Sequence, residues 1–261
     1  VAGIQNVIDT LYISPLTFPA HPYHALTKDE KLLSDELNNP LSDAIKARDL
    51  FFDEEKAFRK LDTPLQKIFY HLLYKQGEFK SFFKYLNKYL NFRFPINMER
   101  SIKRRFHGKI CSNCDLNNFI QTRPVELAYC LAVINSEDKY AIVPHWVHVN
   151  YPETENIMRL LRNTPCTDGC IYCQKNLNIK IRLKNIFGYE SFLKYDGEPL
   201  QERAVDAAMR HKSLLSVFPT GGGKSLTFQL PALISGESEK GLTVVISPLQ
   251  SLMKDQVDSL S

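Results

Sequence analysis

Long apolar runs, a leader and repeats are what this sequence lacks. No stretch of the 261 residues approaches the roughly 18 consecutive apolar residues that a membrane-spanning helix needs. No basic start followed by an apolar core marks a secretory signal. There is no internal repeat and no low-complexity segment, which sets aside solenoids and biased tails. An excess of one charge is missing too. Against 33 basic residues stand 29 acidic ones, and the resulting +4 is too mild to identify a nucleic-acid partner by itself. Six cysteines are too sparse for a disulfide scaffold in a chain of this length, and all of them fall between Cys111 and Cys173. What is present is ordinary globular composition, 44% hydrophobic and 24% charged, with room for about one to three domains. The chain opens at Val1 and stops at Ser261, directly after a strong strand-and-helix pattern. It reads as a fragment of a longer polypeptide.

The pattern changes along the chain. Val7 to Ile13 is β-rich, Pro15, Pro19 and Pro22 break up the next stretch, and a helix is expected from Ser42 or Asp43. From Glu54 to Leu90 apolar residues recur at helical steps: Leu65, Ile68, Phe69, Leu72 and Leu73, then Phe79, Phe82, Phe83, Leu86 and Leu90. Asp62-Thr63-Pro64 marks a helix start, with Thr63 as expected cap. After Phe187 the reading alternates. Leu214–Phe218 and Leu242–Ser247 suit buried parallel strands, and Gln229 to Ile234 belong to a helix between them.

Between those two runs lies Pro219-Thr220-Gly221-Gly222-Gly223-Lys224-Ser225. Glycines let backbone N–H groups close around phosphate oxygens where a Cβ would obstruct them. The helix on its C-terminal side offers its positive N-terminus to the same anion. Lys224 would neutralise the β- and γ-phosphates of ATP, and the Ser225 hydroxyl would hold magnesium. Phe218 stands where the first glycine of the strict G-x-x-x-x-G-K-[ST] pattern belongs.

FPTGGGKS, LTFQLPAL and VVISPLQSLMKDQVDSL together resemble the RecQ branch of superfamily 2 DNA helicases over about the last 75 residues. The resemblance implies a partial RecA-like parallel-sheet domain, hence an α/β fold class. It also implies ATP-dependent 3′→5′ unwinding and a DNA partner, single-stranded or forked, with no membrane. It makes Ser247, Pro248 and Leu249 the opening of a motif that touches single-stranded DNA. Upstream, Phe187-Gly188-Tyr189, Phe192 and Gln201 look like the Q-type motif, in which the glutamine reads adenine. Leu193 replaces the arginine usual after the second phenylalanine, and extra residues separate Phe192 from Gln201. The acidic strand-end motif that activates water and the second RecA-like domain do not occur before Ser261. The fragment is therefore expected to be inactive as a motor on its own.

The cysteines suggest a metal. Cys111-x-x-Cys114 and Cys170-x-x-Cys173 can surround a tetrahedral zinc with four thiolates. Cys166 is the alternative ligand, or an added one of iron–sulfur type. Cys130, in an apolar stretch, reads as core. His145 and His148 fit either ligation or structure.

Val7–Leu11 and Asn38–Ala44 resemble the latter part of a DEDD-type 3′→5′ exonuclease domain of RNase H-like fold. In that family a D-T-L strand precedes a helix whose aspartate binds magnesium. Asp43 matches that aspartate and equally fits a helix cap, while Asn38 stands at the general-base histidine.

From Lys80 to Ile110 nine cations face one acid, Glu99, and aromatics are interleaved. That combination fits single-strand contact by Lys103, Arg104 and Arg105, or a helical core under a solvated face.

The expected parts are residues 1–60, exonuclease-like; 61–183, a mainly helical zinc connector; and 184–261, the ATP-binding portion. The expected location is cytoplasmic, nucleoid-associated if bacterial. An ATP-gated exonuclease and a zinc-stabilised DNA adaptor with a non-hydrolysing nucleotide site are the rival readings.

Overall fold

The computed structural model describes residues 6–21, 24, 40–90, 92, 97–136, 138–219, 221–247, 254 and 258. The chain divides into two compact units, Val1–Leu177 and Asn178–Ser261. Among the described residues no helix is long and apolar enough to cross a membrane.

Among the described residues the elements of the first unit are all helices: α1 (Thr10–Thr17), α2 (Pro40–Lys60), α3 (Thr63–Leu73), α4 (Gly77–Leu86), α5 (Met98–Arg105), α6 (Leu116–Thr122), α7 (Pro124–Asn135), α8 (His145–Asn150), α9 (Glu153–Arg162) and α10 (Ile171–Asn176). Its centre is α7, buried on every side from Val125 to Ile134, as an apolar helix without a polar face must be. Around it pack α1, α3, α6 and α9. The buried Tyr129 hydroxyl donates to the Tyr12 carbonyl at 3.0 Å, which ties α7 to α1. Phe58 of α2 meets Phe82 and Phe83 of α4 edge to face, at 5.8 and 5.6 Å. Ile13 and Leu16 of α1 and Phe58 of α2 therefore share with the helices after them one core, which runs through Leu161.

Two starts differ from expectation. The β-rich Val7–Ile13 run enters α1, because the Asp9 carboxylate caps the Leu11 N–H at 2.9 Å. That local bond offsets the β propensity of the run. At α3 the cap is Asp62, which accepts from the Leu65 N–H at 2.9 Å, so Thr63 is already helical. Gln66 reaches back from α3 and donates to the carbonyls of Phe58, Arg59 and Leu61 at 2.8 to 3.2 Å. It thereby satisfies the C-terminal end of α2.

The second unit holds α11 (Ile179–Phe187), α12 (Leu200–Met209) and α13 (Leu226–Glu239), with α11 and α12 both against α13. Its core includes Val205, Met209, Leu230 and Ile234. The expected parallel strands are absent among the described residues, where the only β pairing is an isolated bridge between Tyr195 and Glu198. Leu215, Val217, Leu242 and Ile246 are between 83% and 92% exposed. An apolar run records that a segment favours burial, but a strand exists only when another segment completes its hydrogen-bond ladder. Leu214–Phe218 and Leu242–Ser247 find no such partner among the described residues.

Candidate nucleotide site and thiolate cluster

The phosphate loop is a turn between the extended 214–218 run and α13. Gly221 and Gly223 hold φ of +77° and +61°, a left-handed conformation that favours glycine. The Gly222 N–H closes the turn on the Pro219 carbonyl at 3.0 Å. Lys224 is exposed, Ser225 half-buried, and Ser225 is the residue from which the 14-residue α13 departs. Glycine backbone, an exposed ammonium and a hydroxyl at a helix N-terminus form a donor set that fits a polyphosphate with magnesium. Thr220, Pro248 and Leu249 lie outside the described residues, and Ser247 is half-buried.

Gln201 is almost fully buried, at 1% exposure, and both ends of its amide are engaged. Its Oε1 accepts from the Leu193 N–H at 2.9 Å and its Nε2 donates to the Gly223 carbonyl at 3.0 Å. A Cβ at position 223 would come within 2.6 Å of that Nε2, so glycine is what allows the approach. The structure thus brings Gln201 against the loop at Gly223.

Tyr195 meets the same loop and carries no signal as a motif. Its hydroxyl donates to the Gly222 carbonyl, and its ring lies 5.2 Å from Phe218. Asp196 and Gly197, with φ of +49° and +84°, form the tight turn that presents it, closed by paired bonds between Tyr195 and Glu198. Asp-Gly is the dipeptide that such a turn selects, and it was the available clue. The carbonyl faces of two loop glycines are therefore held from outside, by Tyr195 and Gln201. A cleft of about 740 Å³ lies along Leu214–Phe218 and α12. Lys224 is not among its lining residues.

In the first unit Cys111, Cys166, Cys170 and Cys173 come together, with all four Sγ atoms within 4.8 Å of one another. This group contains Cys166, the alternative ligand, and leaves out Cys114 of the two C-x-x-C pairs. The Cys114 thiol turns away and donates to the Cys111 carbonyl at 3.0 Å, and burial pushes its pKa up to about 12. The Cys173 thiol beside Cys111 lowers the Cys111 pKa against the opposing effect of burial, and Cys173 is raised in return. Cys130 is fully buried, its thiol directed at the Thr154 carbonyl at 3.3 Å. His148 pairs through Nδ1 with the Thr154 hydroxyl at 3.1 Å. Neither His145 nor His148 joins the sulfur cluster.

The remaining candidates stay apart. Asp43 is exposed in the first turn of α2 and joins no group of potential metal ligands among the described residues. Lys103 pairs with Glu99 at 2.7 Å. Arg105 donates to Asp62 at 2.8 Å and to Asn135 at 2.7 Å. Phe82, Phe83 and Phe92 are core. Of the basic triplet, Arg104 is the exposed member.

Residues 198–261 match the model of the DEAD/DEAH box helicase family. The ATP-dependent DNA helicase RecQ of Haemophilus influenzae is 53% identical over 78 residues, which is 30% of this chain and 11% of that protein. The ATP-dependent DNA helicase Q5 of Rattus norvegicus is 45% identical over 83 residues, 31% of this chain and 8% of that one. The ATP-dependent helicase SGS1 of Saccharomyces cerevisiae is 46% identical over 79 residues, 30% of this chain and 5% of that one. Of these relatives' own lengths the match thus covers 11% or less. No solved structure matches. The family match takes in both the phosphate loop and the Ser247 block.

Proposed function

We propose that the Asn178–Ser261 unit is the first part of a RecA-like ATP-binding domain, and that the protein is an ATP-dependent DNA helicase of RecQ type working 3′→5′. The observation that carries this reading is the phosphate loop: left-handed Gly221 and Gly223, then Lys224 and Ser225 at the start of α13, inside a helicase-family match. ATP and magnesium, when bound, supply the phosphoryl group and the countercharge for its transfer. This chain's residues bind and orient them. Loop N–H groups and the α13 N-terminus would attract phosphate oxygens, Lys224 would neutralise them, and the Ser225 hydroxyl would help hold the magnesium. Thr220 and Gln201 complete the nucleotide contacts. Because the Gln201 amide already holds Gly223, a base read by Gln201 is coupled to the loop that grips its phosphates. Ser247, Pro248 and Leu249 contact single-stranded or forked DNA. Zinc in the first unit is the third cofactor, and the protein works in the cytoplasm, on the nucleoid if bacterial.

Lys224→Ala tests this. Loss of a charge-assisted phosphate contact should weaken ATP binding by the chain about tenfold or more. In the full-length polypeptide it should abolish hydrolysis stimulated by single-stranded DNA. A folded, nucleotide-binding protein that never shows DNA-stimulated hydrolysis would sink the motor and leave a DNA adaptor. Degradation in the 3′→5′ direction that persists after Lys224→Ala would instead favour an ATP-gated exonuclease built around Asp43.

A further inference from the structure

The four clustered sulfurs define one ligand set and one size of guest. With metal–sulfur bonds of about 2.3 Å, a tetrahedral zinc tetrathiolate places its sulfurs about 3.8 Å apart. The Cys111 and Cys170 sulfurs are 3.9 Å apart, and no pair among the four exceeds 4.8 Å. The cage thus fits a single ion with little adjustment. An iron–sulfur cluster distributes its cysteines around two or four irons and needs a wider cage.

The backbone is arranged for thiolates. The Cys170 N–H points at the Cys166 sulfur at 3.3 Å, and the Asn113 side-chain amide approaches the same sulfur at 3.7 Å while also donating to Asp168 at 3.0 Å. Donors aimed at a sulfur stabilise its charged, ligating form and fix its direction. Gly169, at φ +62°, makes the sharp turn that returns Cys170 under Cys166, and a Cβ there would run into the Gln174 amide. Cys173 sits on the first turn of α10, capped by Cys170. The distant ligand is delivered by the segment after α5, where the Cys111 N–H bonds the Leu161 carbonyl at 2.8 Å. Two of the four cysteines are buried and two half-exposed, so an ion can enter from solvent and then be enclosed.

We infer that Cys111, Cys166, Cys170 and Cys173 bind one zinc ion that staples the post-α5 segment to the turn before α10, and that Cys114 takes no part. The inference rests on the zinc reading of the first unit and goes beyond it in ligand set, nuclearity and role. Binding replaces thiol protons with the metal: each ligating thiol still protonated releases one proton, with no change of oxidation state.

The test uses the whole chain. Metal content is measured on the purified protein, and zinc is then exchanged for cobalt(II), whose visible bands report tetrahedral thiolate coordination. The expected result is about one zinc per chain and a four-thiolate cobalt spectrum. Both should be unchanged in Cys114→Ser and in the core control Cys130→Ser. Cys166→Ser should lower zinc affinity at least about tenfold. If Cys166→Ser fails to fold, Cys114→Ser still decides, since loss of metal from a helical Cys114→Ser protein overturns the ligand set while leaving the zinc reading intact. Iron with labile sulfide, a Cys111–Cys170 disulfide, or a folded chain without affinity for zinc would overturn both.

Discussion

Glu54 carries the clearest residue-scale tension in the molecule. It lies at 0% exposure on α2, and neither carboxylate oxygen has a hydrogen-bond partner among the described residues. Burial, reinforced by the Asp9 carboxylate, raises its pKa from 4.5 to about 9, so it is held as a neutral acid. A carboxyl group whose folded value lies above its unfolded one contributes stability that is full below about pH 4.5 and is lost as pH rises toward 9. Glu54→Gln should flatten that dependence, and the gap between wild type and variant in urea melts should widen from pH 5 to pH 9. Glu54→Leu, which removes the unsatisfied oxygens, is expected to stabilise by about 1–3 kcal/mol at neutral pH. The nucleotide loop offers a second test at this scale. Tyr195→Phe deletes the hydroxyl that holds the Gly222 carbonyl and keeps the ring beside Phe218. One lost neutral hydrogen bond should weaken binding of a non-hydrolysable ATP analogue about twofold to tenfold by calorimetric titration. Unchanged affinity would mean that the turn does not position the loop.

At the scale of elements, capping decides more than propensity. Asp62 ends the loop before α3 and also pairs with Arg105 of α5. Burial pushes its pKa up, but the Arg105 guanidinium and the Leu65 N–H outweigh it, and the net shift is downward. A depressed carboxylate contributes stability above its unfolded value of 3.8, lost as pH falls through the folded value. Asp62→Ala should therefore cost about 1 kcal/mol at neutral pH for the cap, and the difference from wild type should vanish in strong acid. The basic stretch shows the same rule. Its sequence offered both DNA contact and a solvated helix face, and the folded α5 engages Lys103 and Arg105 with Glu99, Asp62 and Asn135. Phe82 and Phe83, which could have stacked on bases, went into the core because their spacing was helical, while Tyr89 stays exposed. Helices were legible for this reason, since their hydrogen bonds are local. The two strand-like runs were legible only as apolar, because their ladders depend on other segments.

Across the whole molecule, the two units carry separate cores and separate candidate sites. Ligands should then stabilise them separately in calorimetry. ATP with magnesium at about 100 times its dissociation constant should add about 2.7 kcal/mol to the unit holding Lys224, while chelation of zinc should lower only the transition of the Val1–Leu177 unit. A shift of both transitions by either ligand would refute this division. The glycine turn could be read from the sequence because its parts are contiguous: Gly221 through Ser225 carry their geometry in the local backbone and need only a helix behind them. The family resemblance was legible for the same reason. By itself the sequence determined the phosphate loop, the helical character of residues 54–90 and the presence of a thiol-rich connector. Only the tertiary structure decided that Cys166 and not Cys114 completes the sulfur cage. It alone decided that Tyr195 and Gln201 hold the loop and that Ile13 and Phe58 share a core with the helices after them. Those outcomes depend on which surfaces meet across long stretches of chain, and spacing along a sequence fixes distances only within a few residues.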